Sequence, residues 1–319
     1  MAGPILFKKK ILLMKDEVTY GVDPSPDGSN AVITKNLSIS PYEGNRVGRE
    51  IDRAALGNDL EFNTGAYVTL SFDAELTGSG DVTVAPAYGL LLRICGFSET
   101  EFPAPDPQPR WEYKPVSEGF ESATFYFIQG SQQHKVTGCR GTVKFNGSKG
   151  AMPSMSFTIT GIWNAPTDIG TAPTANYTAW QTPIPVTAAN TPVYQIGAYD
   201  CIAESFDLDM SVNVVYRNVI GSESVQITDR APSGQLTIEA PNLATKDFFA
   251  AVSSHNGVTT ETLKIQHGTT DGAIVEFDAP VVQLSGISFS DSDGILHYQM
   301  DARLIPTDTG NDELVLTVR

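Results

Sequence analysis

Four histidines, three cysteines and a surplus of carboxylates are the groups through which this 319-residue chain could do chemistry. His134, His255, His267 and His297 are scattered, and none stands at the HxxxH or HExxH spacing that aims two imidazoles at one metal. Cys95, Cys139 and Cys201 are odd in number and contain no CxxC pair. Neither a disulfide framework nor a thiolate zinc site is indicated, and synthesis in a reducing cytoplasm is expected. Arg140 beside Cys139 could activate a thiol, although a small buried strand residue explains the same cysteine without chemistry. Asp291-Ser292-Asp293-Gly294 opens like a calcium loop. Ala302 stands where that loop needs its last acidic ligand, however, and an Asp-Gly hairpin turn accounts for the segment. Gly78-Ser79-Gly80-Asp81 reads as a turn, and no P-loop or GxSxG stretch is present. Paired carboxylates for glycoside hydrolysis stay open, because only their separation in space matters. Trp111, Trp163, Trp180 and Tyr177 could form a sugar- or partner-binding surface or serve the core. The chain is therefore expected not to be an enzyme and to hold no cofactor or metal.

The elements around these residues are strands. From 66 to 76 apolar side chains fall on even positions, while Thr69, Ser71, Asp73 and Glu75 fall on odd ones. From 205 to 214 Phe206, Leu208, Met210 and Val212 alternate with Ser205, Asp207, Asp209 and Ser211. Period-two alternation marks a strand with one buried and one wet face. A helix is predicted over 86–96, opened by Pro86 and stopped by Gly96, and a second near 245–252 with Thr245 as N-cap. Strands follow each helix: 124–128, 135–145 and 155–163 in the first half, 262–266, 273–289 and 295–305 in the second. The order reads as one unit written twice. The organisation predicted is an N-terminal arm over 1–36, a first domain over 37–165, a Pro- and Thr-rich linker or long loop over 166–200, a second domain over 201–306, and a C-terminal strand over 307–319. The prolines at 103, 105, 107, 109 and 115 mark a surface insertion over 98–118, and 43–65 reads as a long loop or irregular hairpin.

A formal charge of −16 excludes binding DNA by phosphate neutralisation. Hydrophobic content of 41 % and the absence of any apolar run near the roughly 18 residues of a membrane helix indicate a globular protein with no membrane role. Lys8-Lys9-Lys10 followed by Ile11-Leu12-Leu13-Met14 is too short for a signal peptide.

One stretch is more specific. Residues 15–31, KDEVTYGVDPSPDGSNA, resemble the opening of a family of tail tube proteins from long-tailed, non-contractile bacteriophages, whose pattern is K-x-E-x-T-Y-G-x-D-P-x-P-x-G-x-N-A. Leu90–Phe97, Gly138-Cys139-Arg140-Gly141, Thr228-Asp229-Arg230 and Gly310-Asn311-Asp312-Glu313-Leu314 add weaker matches. The resemblance spans nearly the whole chain, departing mainly at the Pro-rich segment 102–115. It implies a mainly β fold of two tandem β-sandwich or barrel domains, each flanked by one helix. It also implies a structural virion protein that self-assembles into stacked rings and forms a negatively charged channel for DNA. Expected partners are further copies, with three chains in a pseudo-sixfold ring favoured over a hexamer. The tape measure, tail terminator and distal tail proteins are the other partners expected. Thr69, Ser71, Asp73, Glu75, Ser205, Asp207 and Asp209 become candidates for the lumen wall. Arg46, Arg49, Glu50, Asp52 and Arg53 become candidates for ring-to-ring contacts. A carbohydrate- or receptor-binding β-sandwich on a virion is the alternative.

Overall fold

The computed structural model describes residues 4–253, 255 and 257–319. The first unit contains β1 (Lys10–Asp16), β2 (Ala31–Val32), β3 (Lys35–Gly48), β4 (Glu61–Glu75), the short helix α1 (Gly89–Arg93), β5 (Phe97–Phe102), β6 (Arg110–Pro115), β7 (Ala123–Gln129), β8 (Gln132–Ser148) and β9 (Ser154–Trp163). The connecting stretch carries β10 (Thr167–Asp168), β11 (Val193–Ile196) and β12 (Tyr199–Asp200). The second unit contains β13 (Ala203–Asp209), β14 (Val212–Val219), β15 (Ser222–Arg230), β16 (Ser233–Glu239), the helix α2 (Phe248–Val252), β17 (Glu261–His267), β18 (Val275–Ser292) and β19 (Ile295–Leu304), and β20 (Val315–Val318) ends the chain. The protein is mainly β, as expected, with no closed barrel among the described residues.

The two units share one neighbour order. In the first it is β3-β4-β9-β8-β7, with β1 beyond β7; in the second it is β13-β16-β19-β18-β17, with β11 beyond β17. The match differs from the one expected. Strand 66–76 corresponds to β16, and the alternating stretch at 205 corresponds to β3. Alternation fixes which side chains share a face but carries no information on neighbours, so two strands with the same pattern were interchangeable in sequence. That stretch is also two strands, because the chain turns at Ser211, whose φ is 45°.

Three further expectations change, and one open alternative is decided. Lys10–Asp16, read as part of the N-terminal arm, pairs along its whole length with β7, and Leu12, Leu13 and Met14 are buried. The N-cap of α2 is Asp247, whose carboxylate accepts from the Ala250 N–H at 3.0 Å. The segment 43–65, read as a long loop or irregular hairpin, is the second: it extends the β3–β4 hairpin with register shifts. The Pro-rich insertion contains the β5–β6 hairpin, and β6 pairs with β20, which pairs with β18.

One hydrophobic core runs through both units. Phe145 packs edge-on to Phe97 at 6.5 Å and to Phe277 at 5.1 Å, and Phe277 lies 5.6 Å from Phe206. The aromatic chain thus crosses from β5 and β8 to β13 and β18.

Candidate functional site

The seven residues singled out as polar strand positions lie on one face of one sheet. Direct partners in antiparallel strands point the same way, so the face can be traced by register. Asp73 on β4 opposes Ser156 on β9, which opposes Lys144 on β8. Lys144 opposes Asp209 on β13, which opposes Ser233 on β16, which opposes Arg303 on β19. Thr69, Ser71 and Glu75 follow Asp73; Ser205 and Asp207 follow Asp209. All seven are half-exposed, and the alternate residues Leu70, Phe72, Ala74, Phe206 and Leu208 are buried.

The crossing between units is a strand pairing. Residues 144–148 at the end of β8 pair with 205–209 of β13, so the sheet continues from one unit into the other. Gly147 permits the approach: a Cβ there would stand 2.3 Å from the Phe206 ring.

The wet face is acidic. Asp73, Glu75, Asp207, Asp209, Glu239 and Asp301 share it with the cations Lys35, Lys144 and Arg303. Lys144 bridges to Asp207 at 2.8 Å and Lys35 to Glu75 at 2.6 Å. Asp73 accepts from Ser156 Oγ and Asn36 Nδ2, both at 2.7 Å. Lys144, Glu239 and Asp301 escaped the sequence reading because their place on this face depends on strand neighbours.

A family model described as phage tail tube protein matches residues 8–314. The chain belongs to the phage tail tube protein family. A search of curated proteins found no match. As a tail tube protein it is a structural component of the virion, in a family that assembles into a multimeric tube with other tail proteins.

In this tail tube protein the motif residues act as clasps. Glu17 accepts from Ser122 Oγ at 2.6 Å, Thr124 Oγ1 at 2.7 Å, Gly21 N at 2.7 Å and Gly138 N at 2.8 Å. Gly138 has φ +60°, and a Cβ there would stand 2.7 Å from the Tyr20 hydroxyl. The Tyr20 hydroxyl accepts from Val225 N at 2.6 Å, and Arg140 donates to Val225 O at 2.8 Å. The arm motif and the Gly138–Gly141 motif therefore meet, and together they hold β15 of the second unit against the first. Burial raises the Tyr20 phenol above its ordinary value, opposed by the Val225 N–H and by Arg140. Burial also carries the Cys139 thiol well above its usual value, so Arg140 does not activate it. The two later motifs meet as well: Arg230 pairs with the buried Glu313 and donates to Asn311 Oδ1 at 2.7 Å.

Asp23 anchors the arm's proline turn. It accepts from Tyr126 Oη at 2.6 Å and Ser25 N at 2.8 Å, and Lys135 lies at 3.3 Å. Partial burial works against ionisation, but these donors outweigh it and hold the carboxyl below its ordinary value. A depressed folded value stabilises the fold above the unfolded carboxylate's range, and the benefit is lost as pH falls through the folded value. Asp23→Asn is expected to cost about 1 kcal/mol at neutral pH and progressively less in acid. Thermal midpoints of both proteins from pH 7 to pH 3 check this; a constant gap would exclude the charge as the cause.

The ring-contact candidates lie on the β3–β4 hairpin. Arg46 is on β3, 4.0 Å from Glu61, and Arg53 pairs with Asp59. Arg49, Glu50, Asp52 and Arg53 occupy the exposed tip between the strands. The structure gathers these five on one hairpin, apart from the wet sheet face.

Proposed function

We propose that three copies of this chain close into a ring whose wet sheet faces line a channel for DNA. The observation that carries the reading is the β8–β13 pairing. It joins two units of the same neighbour order and, among the described residues, leaves the equivalent edges unpaired at either end. At one end is β3, the counterpart of β13; at the other is the 283–292 part of β18, the counterpart of the end of β8. A neighbour's β3 laid on β18 would repeat the junction already present inside the chain and leave no open edge in the ring.

The β18 edge carries signs of a missing partner. Phe289 on β18 is 63 % exposed, although its counterpart Val143 is fully buried beside β13. Among the described residues the buried hydroxyl of Ser290 has no hydrogen-bond partner. Pro41 on β3 suits an edge position, where it limits indiscriminate strand pairing. An acidic wall would repel phosphate and let DNA pass without adhering. The tip residues Arg49, Glu50, Asp52 and Arg53, with Arg46 at the stem, would face the next ring. The tape measure, terminator and distal tail proteins would meet the tube inside and at its ends.

Ser40 and Ser292 are the counterparts of the opposed pair Asp207 and Asn146. Cysteines at both positions are expected to form an inter-chain disulfide in assembled tubes, with a denaturing ladder that stops at three chains. A ladder stopping at six would replace the trimer with a hexamer, and a protein that stays monomeric would favour the receptor-binding alternative.

A further inference from the structure

We propose that the β3–β4 hairpin stem lies across the second unit of the next chain in the same ring, as β14–β15 lies across the first unit within the chain. This rests on the ring reading above and adds to it a second lateral contact on a different surface.

Both hairpins occupy the same place in the repeat. One is inserted between β13 and β16, the other extends β3 and β4 beyond the sheet. Their apolar residues also correspond. Each carries an apolar cross-strand pair followed two residues outward by a further apolar residue: Val214–Ile227 and then Val225 in one, Val47–Phe62 and then Leu60 in the other. In β14–β15 these residues are covered. Val225 is fully buried, and Val214 and Ile227 pack against the core. In the β3–β4 hairpin they are bare: Val47 is 54 % exposed, Phe62 56 % and Leu60 69 %. A water-exposed copy of a buried apolar set calls for a covering surface.

The repeat identifies that surface. Within the chain, β15 rests on Arg140 of β8, and Tyr216 of β14 rests on Tyr67 of β4 at 5.1 Å. By register, the matching positions in the second unit are Ser285 on β18 and Ser233 on β16. Both are exposed, as are Asp301 and Arg303 between them. Ser233 and Arg303 open into a cavity of about 780 Å³ that Pro232, Ile305 and Pro306 also line. The step that lays a neighbour's β3 on β18 carries its hairpin onto this ground. The expected occupant is therefore a second copy of this chain.

Leu60→Cys combined with Ser285→Cys tests the contact in assembled tubes under mild oxidation. Both residues are exposed, so neither substitution disturbs the core. The expected result is an inter-chain disulfide about tenfold or more above either single variant, with a ladder that closes at three chains. A ladder running past three would place the hairpin on another ring and overturn the proposal. So would the absence of this disulfide in tubes where Ser40→Cys and Ser292→Cys still cross-link, with the ring reading left standing. If neither pair cross-links, the ring reading fails and the hairpin contact falls with it.

Discussion

Arg140→Met is expected to destabilise the protein by about 3–5 kcal/mol, the scale for removing one partner from a buried charged network. Arg140 is 8 % exposed. Its guanidinium donates to Val225 O at 2.8 Å, Phe120 O at 2.7 Å, Glu121 O at 3.1 Å and Gln226 Oε1 at 3.1 Å, and it lies 5.0 Å from the centre of the Tyr20 ring. Methionine replaces the aliphatic stem but leaves three backbone carbonyls without their donor. The loss should concentrate on the β14–β15 hairpin, which Tyr20 and Arg140 clamp at Val225. Urea unfolding would measure the total, and amide exchange at Val225 would locate it. A loss below about 1 kcal/mol would mean that the hairpin is held instead by its apolar face and the Tyr67–Tyr216 contact.

Phe289→Asp is expected to abolish tube assembly and leave the chain folded. Phe289 stacks on Tyr298 at 5.5 Å and meets Phe249 edge-on at 6.4 Å, at the free edge of β18. In the isolated chain the substitution exchanges one exposed side chain for another. In a ring that seats β3 here, it buries a carboxylate against aromatic rings. The cost is about 3 kcal/mol or more per junction, repeated at every junction of the ring. Circular dichroism and the thermal midpoint should stay near those of the parent, while sedimentation and negative-stain microscopy should show no tubes. Normal tubes from this variant would move the lateral interface away from β18.

The motifs were legible before their purpose was. Glu17, Tyr20 and Asp23 stood out through the resemblance of residues 15–31 to the family's opening pattern, and Gly138-Cys139-Arg140-Gly141 as a weaker match to the same family. Nothing in one dimension showed that Glu17 would grip Gly138, or that Tyr20 and Arg140 would share Val225. The signal for Arg140 was a cation between two glycines in the run of small residues Thr137–Thr142, where burial requires partners. The β5–β6 hairpin was obscured for the opposite reason. Its prolines mark turns, and Tyr113 is buried where β20, from the far end of the chain, pairs beside β6.

Residue type and local spacing carried the side-chain alternation and the β-rich class, because the backbone's two-residue period converts spacing directly into faces; the family was legible through the resemblance of its motifs. The tertiary structure alone decided that β4 answers to β16, that β8 hands the sheet to β13, and that Asp73 and Asp209 share one wet surface with Lys144 between them. Strand neighbours are joined by backbone hydrogen bonds, which are the same for every residue but proline and so cannot select a partner. The choice is made by packing over the whole core, and Phe145, Phe206 and Phe277 record it where the two units meet.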